Sequence, residues 1–220
     1  MKRLSLLLLA FPLLVSCSND SYETGDDEFS YMRADFVEAH TAAKGEFDTA
    51  VTDDGDALTI SPHATGSWAQ KADSTYRALL YYNKVADAKT VEPVQIVRVL
   101  VANYSKTTRP DTLKTDPLTF ESAWKSKNGK YLNIGFLLKV GKSDTEKNPV
   151  QYLGIRKDNV TTDASGVRHV YITLTHNQNN VPRYYSSKGF LSLPLSEEDK
   201  SSVFHITINT YSGSIQPEID

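Results

Sequence analysis

Beyond residue 30, apolar and polar residues alternate with a period of two along most of the chain, the mark of half-buried strands. In YMRADFVEAHT, Met32, Ala34 and Phe36 share one face, and in EFDTAVT, Phe47, Thr49 and Val51 do. The intervening AAKGE supplies a glycine turn, so these two segments are expected to form a hairpin. VTDDGDALTIS sets Asp54-Gly55 between two short runs, a strong hairpin-turn signal. TYRALLYYNKVA reads as a long strand. VEPVQIVRVLVANY reads as another, with apolar residues on both faces and therefore cover on both sides. Five strands in about 70 residues suit a small closed barrel of the OB type, over residues 31–103. Composition does not separate that from an SH3-like barrel.

SKTTRPDTLKTDPL lacks an apolar face and contains Pro110 and Pro117, so residues 104–117 are expected to link two domains. Strand patterns resume in 118–220: YLNIGFLLKV, VQYLGIRKD, RHVYITLTHN, GFLSLPL and SVFHITINTY. Leu132, Ile134, Phe136 and Leu138 face one way, Tyr131 and Asn133 the other. Val170, Ile172 and Leu174 form one inward set, and Phe204, Ile206 and Ile208 another. A turn of helix fits only Ser196 to Lys200. The fold class is all-β: an OB-like five-stranded barrel followed by an antiparallel β-sandwich.

The first 30 residues have a different grammar. Met1-Lys2-Arg3 is basic, and Leu4 to Val15 is a mostly apolar run of 12 residues, too short to span a bilayer. Leu14-Val15-Ser16-Cys17 resembles the bacterial lipobox, in which the cysteine thiol receives a diacylglyceryl group before the signal is removed. Cys17 is the only cysteine, so it forms no intramolecular bridge. Residues 1–16 are accordingly a lipoprotein signal peptide. The acyl chains, palmitate among them, would hold Cys17 in the membrane. Residues 17–30 carry Asp20, Glu23, Asp26, Asp27 and Glu28 with no base, and read as an acidic flexible tether. Such acid-rich stretches resemble the surface-export signal of Bacteroidetes lipoproteins. The expected address is the outer membrane, with export to the cell surface implied by that resemblance.

The layout as a whole resembles a known family. The lipobox, TDDGDALTI, Asp116-Pro117-Leu118, Trp124, YLNIGF, LTHN and GFLSLPL, in that order, are similar to the NigD-like lipoproteins of Bacteroidetes. The resemblance implies an N-terminal OB domain, a C-terminal β-sandwich and a suggested link to bacteriocin immunity. It implies no catalytic residues.

Candidate chemistry is sparse. With Cys17 acylated no thiol remains, and no G-x-S-x-G elbow occurs. His40, His63, His169, His176 and His205 never stand in H-x-H or H-E-x-x-H spacing, so no metal ligands are assigned. Asp53-Asp54-Gly55-Asp56 is a turn before it is a calcium loop, because the closing glutamate is missing. No phosphate-cradling glycine loop is present, and no cofactor is expected. Nucleic acid is disfavoured by the charge of −3 on residues 31–103. Residues 104–220 carry +3, and Lys125, Lys127 and Lys130 suit an acidic partner.

Sugar binding through aromatic faces is compatible with either half. Trp68 and Tyr82, with Tyr76 and Tyr81, form one candidate platform, and Tyr184 and Tyr185 a second. His176 shares the inward parity of Val170, Ile172 and Leu174 beside Asn177, Asn179 and Asn180. It is either a ligand contact or a hydrogen-bonded plug at a strand end. Asp48-Thr49-Ala50, Asp73-Ser74-Thr75 and Asp111-Thr112-Leu113 resemble Bacteroidetes O-glycosylation triplets; Thr112 and Ser74 are the candidate acceptors, whereas Thr49 is expected to face inward. The functional expectation is a non-catalytic binding or accessory module for a glycan or protein partner, attached to the membrane through Cys17. A bacteriocin or toxin immunity factor is the alternative, and a hydrolase assembled from scattered Asp and His a third.

Overall fold

The computed structural model describes residues 32–83, 89–105, 113–142 and 149–220. Cys17, Asp111 and Thr112 lie outside them, as do the signal segment and the acidic stretch.

The first half is a closed barrel of β1 (Met32–Ala43), β2 (Glu46–Thr52), β3 (Ala57–Thr65), β4 (Ser74–Asn83) and β5 (Thr90–Arg98). Its strand order is β1-β2-β3-β5-β4, with β4 returning to β1. The Asp54-Gly55 hairpin forms as expected: Val51 pairs with Ala57, and Gly55 takes φ 91°, a conformation open to glycine. Val37, Ala39, Phe47, Ala50, Leu58, Ile60, Ala78, Leu80, Tyr82, Val91 and Ile96 fill the interior.

Two faces differ from the sequence reading. In β1 the inward set is Val37, Ala39 and Thr41, and Met32 and Ala34 are exposed. Phe36 instead packs outside the barrel against Trp124 and Phe190, 5.3 and 5.1 Å between ring centroids. In β2 a register shift between Phe47 and Thr49 puts Phe47 inside and leaves Thr49 and Val51 outside. A bulge inserts one residue and so reverses the alternation after it. Thr49 is therefore exposed, not inward.

The VEPVQIVRVLVANY run also resolves differently. β5 is covered on one side only, with Val94 exposed, and the chain leaves the barrel at Val99. Leu100–Val101 forms β6, which pairs with a sandwich strand. Apolar residues occur on both parities because one run serves two cores.

The sandwich has two sheets. One is β6, β11 (Tyr185–Pro194), β8 (Tyr131–Val140) and β7 (Thr119–Lys125), in that order. The other is β13 (Gly213–Ile215), β12 (Val203–Thr210), β10 (Arg168–Asn177) and β9 (Tyr152–Thr162), with β14 (Glu218–Ile219) also on β12. Most ladders are antiparallel, but β10/β12 and β6/β11 run parallel, so the sandwich is mixed in those two places. Leu132, Ile134, Phe136, Val170, Ile172, Leu174, Phe204, Ile206 and Ile208 meet in the core, as the alternation requires. Each such side chain stabilises the fold by roughly 1.5–3 kcal/mol.

Ser196 to Lys200 is a turn, not helix. Its buried Asp199 carboxylate is held by Arg168 and Lys157 at 3.2 and 3.4 Å. The residues expected to link the domains are tied to the sandwich at both described ends: Tyr104 bridges Ile155, Thr115 bridges His176, and Leu118 is in the core.

Candidate binding sites and relatives

The barrel rests on the outer face of the β6-β11-β8-β7 sheet, and a buried arginine joins them. Arg77 in β4 forms a bidentate pair with Asp53 at 2.7 and 2.6 Å. Its Nε donates to Ser192 Oγ at 3.2 Å and its Nη2 to Asn133 Oδ1 at 3.3 Å, both in the sandwich. The guanidinium also lies 4.1 Å from the Tyr131 ring centroid. Asn133 Nδ2 is buried without a hydrogen-bond partner. At the margin, Glu38 accepts from Lys130 Nζ at 2.6 Å and Tyr131 Oη at 2.8 Å. Burial pushes the Glu38 carboxyl up, but those donors outweigh it and hold it below its ordinary value. Burial, with the same Glu38 contact after it, pushes the Tyr131 phenol up to about 12.

The lysines expected to meet an external acidic partner are thus partly spoken for within the chain. Lys130 pairs with Glu38, and Lys127 stands 3.4 Å from Asp54, both in the barrel. Lys125 donates to the Lys200 carbonyl, and burial lowers its pKa. The acidic Asp53-Asp54 turn serves this junction, with Asp53 on Arg77.

Grooves open in both halves of the described surface. The barrel cleft, about 450 Å³, lies where β3 and β5 diverge after pairing only at Thr59/Thr90 and Ile60/Val91. Trp68 lines it with His63, Gln95 and the exposed Val94. Trp68 is wedged between Phe47 and Tyr76, with centroids 5.1 and 5.7 Å away. A Cβ on Gly66 would approach Trp68 Nε1 to 2.8 Å, so glycine is required for the indole to sit there. Tyr82, proposed as its companion, is 2% exposed and donates to Asp35 Oδ2 at 2.5 Å. Burial raises its pKa well above the usual phenol range. It is a core residue because β4's inward parity runs Ala78, Leu80, Tyr82.

The second groove, about 370 Å³, is at one end of the sandwich and is lined by Asn103, Lys114, Tyr152, Thr175, His176 and Asn177, among others. His176 is 1% exposed. Its Nδ1 donates to the Asp116 carbonyl at 2.9 Å, and its Nε2 stands 2.7 Å from Gln151 Oε1. Its backbone pairs with Lys114 and Asp116. Burial lowers the imidazole pKa, partly offset by the Asp116 carbonyl and carboxylate. His176 therefore plugs the strand end and pins residues 114–116. The neighbouring asparagines shape the turn: Asn179 and Asn180 take φ 47° and 58°, and Asn177 Oδ1 accepts from the Asn179 amide at 2.9 Å.

Tyr184 and Tyr185 are at this same end. Tyr185 pairs with Val140, the last residue of β8, and Tyr152 pairs with Asn177, the last of β10. Gln151 and Gln178 both donate to the Lys139 carbonyl, closing one sheet end onto the other. Tyr184, Tyr152 and Tyr185 are 73, 62 and 56% exposed, with Val150 also outward. The sequence reading missed Tyr152, whose signal was its place at a strand start opposite Asn177. The structure does not bring Trp68 to this cluster, and it places Ser74 half-buried at the start of β4, its amide bonded to Thr41 Oγ1.

Among the described residues, no group of three or more His, Cys, Asp or Glu side chains has metal-holding geometry. No curated protein matches the chain. Solved structures do. A NigD-like immunity protein from Bacteroides caccae is 21% identical, with TM-score 0.60 over 84% of this chain and 91% of that one. A protein named as a candidate toxin-related protein from Parabacteroides distasonis is 18% identical, with TM-score 0.62 over 85% and 91%. A candidate lipoprotein from Bacteroides fragilis is 12% identical, with TM-score 0.58 over 86% and 97%. At these identities the likeness is one of fold. The family model of the NigD-like C-terminal beta sandwich domain matches residues 100–219, beginning where β6 leaves the barrel. With more than half its length so matched, and with the barrel-plus-sandwich architecture shared, this chain belongs to the NigD-like family.

Proposed function

We propose that the chain is the folded body of an envelope lipoprotein, anchored through Cys17 at the outer membrane, and that it is a non-catalytic binding module for a glycan or a protein partner. The carrying observation is the exposed Tyr152 on a groove lined also by Asn103 and Asn177, with Tyr184 and Tyr185 exposed at the same end of the sandwich. A fold that buries Tyr82 and most other large apolar side chains leaves these three rings outside. Exposed tyrosine offers an apolar face and a polar tip, which suits both sugar stacking and protein interfaces. The lipobox at Leu14 to Cys17 supports the anchor, and the Bacteroides fragilis neighbour named as a candidate lipoprotein agrees with it.

The test is a glycan array and an envelope pull-down with the chain lacking residues 1–16 and carrying Cys17→Ser. Retention of a glycan or one protein, reduced at least tenfold by Tyr152→Ala with Tyr184→Ala, is the expected result. Retention of nothing, or retention indifferent to the tyrosines, would sink the reading.

The immunity alternative draws on the printed name of the Bacteroides caccae neighbour. It expects a toxin gene beside this one and protection of toxin-exposed cells by the expressed chain.

A further inference from the structure

On the outer face of the second sandwich sheet, β10 and β12 run parallel, with Tyr171 opposite His205 and His169 opposite Val203. His169 and His205 are therefore diagonal neighbours on one face. His169 Nδ1 stands 3.0 Å from His205 Nε2. The rings are nearly coplanar, 25° apart, with centroids separated by 5.2 Å, so they meet edge to edge. Tyr171 stacks on His205 at 4.5 Å and 10°, which fixes that ring's plane.

Each far nitrogen looks at a carboxylate. His169 Nε2 is 3.4 Å from Asp163 Oδ2, and His205 Nδ1 is 3.5 Å from Glu218 Oε2. Asp163 is itself fixed, because its Oδ1 accepts from the Ser165 and Val167 amides and the Ser165 hydroxyl. Imidazoles whose outer N–H groups point at carboxylates present their inner lone pairs, and this backing is characteristic of histidines that ligate metals. The two inner nitrogens are joined by one N–H···N hydrogen bond, and a cation ligated by both would take the place of its proton.

We propose that His169 and His205 form a two-histidine site for a divalent first-row transition metal, with Asp163 and Glu218 orienting the ligands and water completing the coordination. Metal–nitrogen bonds of about 2.05 Å at a tetrahedral angle set the two nitrogens about 3.3 Å apart. Reaching that spacing requires the N–H···N hydrogen bond to open and each ring to turn its lone pair off the line between the nitrogens, toward the shared metal. Imidazole ligation favours Cu²⁺, Ni²⁺ and Zn²⁺ over Mg²⁺ or Ca²⁺. The two residues are 36 positions apart in sequence, and the site owes nothing to the tyrosine cluster.

Tag-free chain lacking residues 1–16, with Cys17→Ser, is titrated with Ni²⁺, Zn²⁺ and Cu²⁺ by calorimetry. One saturable equivalent is expected. His169→Ala and His205→Ala should each weaken it roughly tenfold or more, and Glu218→Gln by a smaller factor. His40→Ala and His63→Ala should leave it unchanged. Electron paramagnetic resonance of the Cu²⁺ form should show two imidazole nitrogens. That count is made on the parent sequence, so it stands whatever a variant does to folding. Absence of saturable binding below about 1 mM metal, a one-nitrogen spectrum, or full affinity in His169→Ala would each overturn the proposal.

Discussion

His176 shows how a single residue's role turns on its partners. A histidine beside three asparagines at a strand end reads as a hydrogen-bonded plug ahead of a ligand contact. The Asp116 carbonyl and Gln151 at 2.9 and 2.7 Å decide for the plug. His176→Ala should destabilise the protein by roughly 2–4 kcal/mol, from the cavity and the stranded polar partners. Its lowered pKa also has a sign. In the unfolded chain the imidazole protonates near pH 6.5, while the buried ring resists, so its contribution is full above that pH and is lost as pH falls below it. Urea melts at pH 7.5 and 5.5 should show a smaller loss on acidification in His176→Asn than in the parent. The comparison must be by difference, because Asp48 and Asp73 raise the pKa of His40 and give the opposite slope.

At the scale of elements, alternation located the strands but not always their inner faces. The sets Leu132/Ile134/Phe136 and Phe204/Ile206/Ile208 are inward as read, because those strands are regular. Asn133, on the opposite parity, is buried as well, beneath the barrel. β1 and β2 depart from simple alternation for two different reasons. The apolar Phe36 belongs to the contact between domains, and the bulge after Phe47 flips Thr49 outward. Neither leaves a mark in a window of one strand. Tight approaches supply a prediction at this scale. A Cβ on Gly189 in β11 would come within 2.8 Å of Phe136 Cε2 in β8, a core side chain. Gly189→Ala should therefore cost about 1–3 kcal/mol, read as a lower urea midpoint with unchanged slope. Gly66→Ala should displace Trp68 and shift the tryptophan emission toward that of an exposed indole.

Across the whole molecule, the opposite charges of the two halves meet each other. The barrel's Asp53, Asp54 and Glu38 face Arg77, Lys127 and Lys130, and only Arg77 of these three bases comes from the barrel itself. The two exposed pairs contribute little, but Arg77 is buried with its carboxylate. Arg77→Ala should cost roughly 3–5 kcal/mol by leaving Asp53 without its partner at the junction. Arg77→Met, which keeps the packing, should not recover that loss unless Asp53→Asn accompanies it. Equilibrium unfolding of the three variants checks this. The anchor is tested separately: Cys17→Ala should move the protein from the membrane fraction to the soluble one, and continued membrane retention would refute lipidation.

The sequence by itself determined the all-β class, the Asp54-Gly55 turn, the inward faces of the regular sandwich strands and the family likeness. It did so because period-two alternation and turn chemistry are local properties of the chain. Tertiary structure alone decided that Tyr82 is core, that Tyr152 lies at the same end of the sandwich as Tyr184 and Tyr185, and that Arg77 binds the two halves. The same holds for His169 and His205, which the parallel β10/β12 pairing sets side by side. Each of these depends on which strands become neighbours, and residues far apart in the chain acquire their partners only when sheets pair and layers pack.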